Sequence, residues 1–223
     1  MKTLIQTFGF AAIAAAGLAS VPASAQVNGI ATSSPEAVIV RSQARINAYQ
    51  QISQTYATQL TLINTVRQEI NTQQLALDTN NDGQLTEAEV NANPGAVQQI
   101  QQKEQQVQQL SQPLVLAQTY VIEQLINDYN NARNVVIQAK NIQLMITPDA
   151  LQYAPEGVNV TSDIVAALNQ RLPAVAAVPP AGWQPRRDSL HTHQTVQQIL
   201  VAAAQQQAAQ QAQQGQAPAP AGR

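Results

Sequence analysis

The chain has 223 residues, of which 44% are hydrophobic, 4% aromatic and 11% charged, with 11 Lys and Arg against 13 Asp and Glu and no cysteine. Without cysteine there is neither a disulfide nor a lipid-modified amino-terminal Cys. Basic residues are scattered apart from Arg186-Arg187, which excludes a nucleic-acid-binding protein, whose footprint is a clustered basic surface. So few aromatics also argue against a large core around a cofactor, and long helices with narrow apolar seams suit the composition better.

Residues 1–25 read as a cleaved export signal. Lys2 gives the positive start, Leu4 to Leu18 the short apolar stretch, and Val21-Pro22-Ala23-Ser24-Ala25 the small-x-small pattern for cleavage after Ala25. Gln6, Thr7 and Pro22 interrupt the run before it reaches the roughly 20 apolar residues of a spanning helix. Removing this segment leaves 10 basic and 13 acidic residues, a net charge of minus three. No later segment is apolar for long enough to insert stably in a membrane, so the periplasm is the expected address.

Val27 to Thr32 reads as a short strand. Between Val38 and Leu77, apolar residues recur at Ile46, Tyr49, Ile52, Tyr56, Leu60, Ile63, Val66 and Ile70, with Gln, Thr, Asn and Ser between, which is the three-four spacing of a helix seam. A second seam follows at Val97, Ile100, Val107, Leu110, Leu114, Val121, Leu125 and Tyr129, with Pro113 as a potential kink. Arms over about 36–77 and 95–140, each about 60 Å long at 1.5 Å per residue, form a long antiparallel hairpin of coiled-coil character. Ile142 to Thr147, turned by Pro148-Asp149 into Leu151-Gln152-Tyr153, reads as a strand hairpin over 142–154. Three strands do not close a sheet, so copies of the chain are expected to complete it. The fold class is therefore mainly α with a small β part, the helical hairpin projecting from a short-strand sheet completed by oligomerisation. Thr161 or Ser162 is expected to cap a helix over 162–172. Residues 173–223, with Pro173, Pro179, Pro180 and Pro185 followed by a Gln/Ala/Pro tract, read as a disordered tail with no core of its own.

The stretch Asn141-Ile142-Gln143-Leu144-Met145-Ile146 through Leu151-Gln152-Tyr153-Ala154, then Gly157-Val158-Asn159-Val160-Thr161-Ser162-Asp163-Ile164 up to Asn169, resembles the carboxy-terminal region of the Skp/OmpH periplasmic chaperones. The order of elements is similar too, so the resemblance covers residues 26–172. It implies a homotrimer whose hairpins surround a cavity holding unfolded outer-membrane proteins, without nucleotide. The best-known members are strongly basic, whereas this mature chain is mildly acidic.

The turn between the arms has a pattern of its own. Asp78-Thr79-Asn80-Asn81-Asp82-Gly83-Gln84-Leu85-Thr86-Glu87-Ala88-Glu89 matches the twelve-residue EF-hand calcium loop at each diagnostic position. In that pattern Asp78, Asn80 and Asp82 supply side-chain oxygens on alternate residues and Gly83 permits the sharp turn. Gln84 offers its carbonyl, Thr86 holds a water and Glu89 closes bidentately, with Leu85 as apolar anchor. The loop is thus a candidate site for one weakly held Ca²⁺ per chain, and a calcium-binding structural adaptor of the cell envelope is the rival to a chaperone.

Enzyme chemistry finds little support. His191 and His193 are the only imidazoles and lie beyond the Pro-rich stretch, and no glycine-rich phosphate loop is present. As a chelating pair on one short segment they fall short of a closed metal site. Trp183 and Arg186-Arg187 read as solvated linker residues.

Overall fold

A computed structural model describes residues 29–215, with side chains to 212. The export signal expected over 1–25 therefore lies outside the described residues, as do Val27 and Asn28 of the expected first strand. Helix accounts for 74% of the described residues and strand for 4%, so the protein is mainly helical.

The elements begin with β1 (Ile30–Thr32), followed by α1 (Pro35–Arg41), α2 (Gln43–Thr55) and α3 (Ala57–Leu77). The first arm is therefore three helices rather than one. Ser42 breaks it first: its backbone is extended at ψ 132°, and its hydroxyl accepts the Arg45 amide hydrogen to start α2. Tyr56 breaks it again at φ −106°, ψ 23°. After the turn come α4 (Glu87–Ala92) and α5 (Pro94–Ala139), a 46-residue helix about 69 Å long at 1.5 Å per residue. It continues through Pro113, which is exposed.

The arms α3 and α5 run antiparallel. Gln73 Nε2 donates to Gln99 Oε1 at 3.1 Å, and Glu69 pairs with Lys103, so positions rise on one arm as they fall on the other. Only a thin seam is buried towards the tip: Ile63, Val66, Leu77 and Ile100.

At its end, α5 closes with Asn141 at φ 51°, the Ile142 amide bonding the Ile137 carbonyl at 3.0 Å and the Asn141 amide that of Gln138 at 3.4 Å. This paired closure satisfies two terminal carbonyls and turns the chain. It delivers β2 (Leu144–Ile146) alongside β1 in parallel, with Ile30 opposite Leu144 and Thr32 opposite Ile146. The expected strand hairpin over 142–154 does not form. Pro148–Ala150 makes a 3-10 turn instead, residues 151–153 are outside any strand, and Tyr153 is 85% exposed. A tight hairpin wants positive-φ residues at its turn, which Pro148-Asp149 does not provide. Asn159 bridges to Thr32, and Thr32 O accepts from Val160 N at 2.9 Å.

Helix α6 (Thr161–Arg171) starts one residue earlier than expected. Neither Thr161 nor Ser162 caps it: Val160 holds the cap position, and Asn159 Oδ1 accepts the Thr161 amide at 3.0 Å. The last helix, α7 (Arg187–Gly215), corrects the reading of 173–223 as a tail without a core. Ser189, His193 and Val196 are buried and Leu200 is half-buried, a seam packed on α1 and α5. From Val201 to Ala212 every side chain is exposed.

The main core lies at the base, where the arms meet α6 and α7. Val38, Ile39, Ala48 and Ile52 pack with Val121, Ile122, Leu125 and Ala132 of α5, Ile164 and Leu168 of α6, and Val196 of α7. Fully burying each large aliphatic side chain contributes roughly 1.5–3 kcal/mol. Stability is thus concentrated at the base and the arms project from it.

Candidate functional site

Asp78 is the C-cap of α3, where the seam ends at Leu77. Its Oδ1 accepts the Asp82 amide at 3.2 Å and its Oδ2 the Gly83 amide at 2.8 Å. Asn81 at φ 57° and Gly83 at φ 80° take the left-handed backbone that wraps the loop around that carboxylate. Asn80 Oδ1 accepts the Asp82 amide at 3.0 Å, while Asn80 Nδ2 donates to Asp82 Oδ2 at 2.8 Å. Asp82 Oδ1 accepts the Gln84 amide at 2.8 Å.

The other half of the loop is a capping box. Thr86 Oγ1 accepts the Glu89 amide at 3.4 Å, and Glu89 Oε2 accepts the Thr86 amide at 3.0 Å and the Thr86 hydroxyl at 2.8 Å. Glu89 Oε1 reaches back across the loop to the Thr79 amide and hydroxyl, both at 2.8 Å. These bonds, those from Thr86 foremost and those from Thr79 next, hold the Glu89 carboxyl at about 2, below the ordinary glutamate value. Asp78 and Glu89 are each 8% exposed, shielded by their own loop.

The structure thus joins the two ends of the predicted loop through Thr79 and Glu89. Asp82 faces Asn80 and Gln84, and among the described residues no three His, Asp or Glu side chains stand close enough together to hold an ion. Leu85 is 38% exposed and lines a cavity of about 310 Å³ with Asn71, Leu75, Asp78, Gly83 and Gln84.

Along the arms the surface is rich in Gln, Asn and Thr, and large apolar side chains surface singly: Leu62 is 41% exposed and Val115 40%. Such isolated residues do not make one continuous patch.

The second polar cluster carried no motif in the sequence. Glu123 of α5 accepts hydrogen bonds from Ser189 Oγ at 2.6 Å, Trp183 Nε1 at 3.3 Å and the Arg186 amide at 3.3 Å, and pairs with the Arg186 guanidinium. Burial acts to raise its carboxyl, but the bonds from Ser189, Arg186 and Trp183 outweigh that and hold it below the usual range. The Trp183 ring stands edge-on to Tyr120 at 5.0 Å, and Gln124 exchanges two hydrogen bonds with the Ala176 backbone. Trp183 and Arg186 are therefore anchors rather than solvated linker residues; only the 3-4 spacing of Ser189, His193, Val196 and Leu200 could have signalled them. His193 is buried with Nε2 3.1 Å from Gln118 Oε1, whereas His191 is exposed.

Among the described residues no helix is long and apolar enough to cross a membrane. No curated protein matches the chain. A solved structure from Caulobacter crescentus, described as a candidate outer membrane chaperone (OmpH-like), is similar at 18% identity with a TM-score of 0.41, covering 70% of this chain and 94% of its own. The profile of the outer membrane proteins described as OmpH-like matches residues 29–168, which take in β1, both arms, the turn between them, β2 and most of α6, and the chain belongs to that family.

Proposed function

We propose that this protein is an ATP-independent holding chaperone of the periplasm that covers unfolded outer-membrane proteins in transit, working as a homotrimer. The observation that carries the reading is the pair of arms: a thin seam buried between α3 and α5, and outside it an amide-rich surface on which apolar residues such as Leu62 and Val115 surface one at a time. A client strand needs cover that blocks edge pairing without demanding one sequence. Scattered apolar contacts and side-chain amides offer that cover weakly and at many points. The two-stranded sheet with Leu144 52% exposed supports completion by other copies.

The mature net charge of minus three, once residues 1–25 are removed, gives no electrostatic pull on acidic clients. Capture therefore rests on short-range contact and depends little on salt.

The test is dilution of a urea-unfolded outer-membrane barrel protein into buffer with and without the chain, followed by light scattering. Suppression at a three-to-one chain-to-client ratio, unchanged by added salt, is the expected result. Aggregation unaffected by the chain would sink the reading, and a monomeric mass in solution would remove the trimer.

A further inference from the structure

We propose that the turn between the arms, Asp78 to Glu89, binds one Ca²⁺ per chain and that the ion ties the end of α3 to the start of α4. This site is independent of the chaperone reading, which rests on the arm surfaces and not on the tip.

Two observations meet there. The first is the order of oxygen donors. Asp78, Asn80 and Asp82 alternate, Gly83 takes φ 80°, Gln84 follows with its carbonyl, then Thr86, and Glu89 closes at the twelfth position. No nitrogen or sulfur ligand intrudes, so the set suits a hard cation, and a loop of this length suits calcium better than magnesium, which demands a tight octahedron.

The second is charge. Between Arg67 and Lys103 the tip carries Glu69, Asp78, Asp82, Glu87 and Glu89 and no basic residue, and Lys103 itself is paired with Glu69. None of the ion pairs among the described residues involves Asp78, Asp82, Glu87 or Glu89. Asp78 and Glu89 are nonetheless only 8% exposed. Both carboxylates accept several hydrogen bonds from the loop, which favour the anion but leave its charge uncompensated. The loop amides and the Thr79 and Thr86 hydroxyls orient these two carboxylates but bring no positive charge, and a divalent cation would supply it.

Two ligands are already in place, and two must turn to accept the ion. Glu89 Oε1 already sits 2.8 Å from the amide that follows Asp78, so first and last ligands are neighbours. Asn80 and Asp82 are exposed, bond each other, and turn inward by side-chain rotation. Binding then exchanges the Asn80–Asp82 hydrogen bond and part of the Glu89 capping bonds for coordination.

The experiment is titration calorimetry of the full chain, stripped with a chelator, against calcium chloride, with magnesium chloride as a second probe. One calcium per chain is expected, at a dissociation constant of roughly 0.1–1 mM, the range of single extracellular-type sites. Asp82→Ala, at an exposed position, and Glu89→Gln should each weaken binding at least about tenfold with helical circular dichroism unchanged. Absence of calcium heat up to about 10 mM, or both variants binding as tightly as the parent, would overturn the proposal. Client holding, measured separately by light scattering, tells failure of this site from failure of the arms.

Discussion

The Glu123 carboxylate, in the second half of α5, accepts the Ser189 hydroxyl hydrogen at 2.6 Å, and this bond joins the part of the chain that matches the OmpH-like family to a helix outside the match. The same carboxylate gathers Trp183 and Arg186, so one side chain fastens the whole approach to α7. Glu123→Ala leaves the buried Ser189 hydroxyl without its partner and removes a charged acceptor, a loss of about 2 kcal/mol in the docking of α7. Trp183 is the sole tryptophan, so a red shift of its fluorescence reports the detachment directly. An unshifted spectrum in Glu123→Ala would show that the apolar seam alone holds the helix.

Acid should loosen the same interface through His193. Burial lowers the pKa of this imidazole from its ordinary 6.5, so the neutral form is favoured in the folded chain. The sign follows from linkage: its contribution to stability is complete above 6.5, where both states are neutral, and is lost as pH falls through the lowered folded value, because the unfolded chain takes up the proton first. Hydrogen exchange of α7 amides relative to those of α6 should therefore accelerate on acidification, after correction for intrinsic rates. His193→Gln, which keeps a hydrogen-bonding group beside Gln118, should flatten that dependence.

Leu125 is fully buried where α5 meets the base core, whereas Leu62 on α3 is 41% exposed. Leu125→Ala should cost about 2–5 kcal/mol in urea unfolding, the range for a large-to-small change in a packed core. Leu62→Ala should stay within about 0.5 kcal/mol. If Leu62→Ala also weakens suppression of client aggregation, its exposed side chain contributes to holding rather than to folding.

At the tip, the Glu89 carboxyl is held down to about 2, first by the bonds from Thr86. A depressed carboxylate contributes stability that is present above the ordinary value of 4.5 and disappears as pH falls from there towards about 2. An NMR titration following the Glu89 carboxyl carbon should place its midpoint well below 4.5, and Thr86→Ala should raise it.

The arms were legible in the residues because their cause is local: a three-four spacing of apolar positions from Ile46 to Ile70 and from Val97 to Tyr129 buries a seam wherever a partner helix lies. The turn was legible for the same reason, since Asp78, Gly83, Thr86 and Glu89 act on backbone within twelve residues. Strand pairing was not. Leu144–Ile146 had the composition of a strand, but its partner is Ile30–Thr32, more than a hundred residues away, and the parallel choice depends on the left-handed Asn141 closing a helix about 69 Å long.

The amino-acid sequence by itself determined the helical arms, the turn between them and the likeness to a chaperone family, because periodicity and spacing are short-range properties. Only the tertiary structure decided that Arg187–Gly215 is a helix whose first turns dock on the base. Its seam of Ser189, His193, Val196 and Leu200 is half polar, and those polar groups are acceptable in a buried interface only because Glu123 and Gln118 wait on α5 to satisfy them.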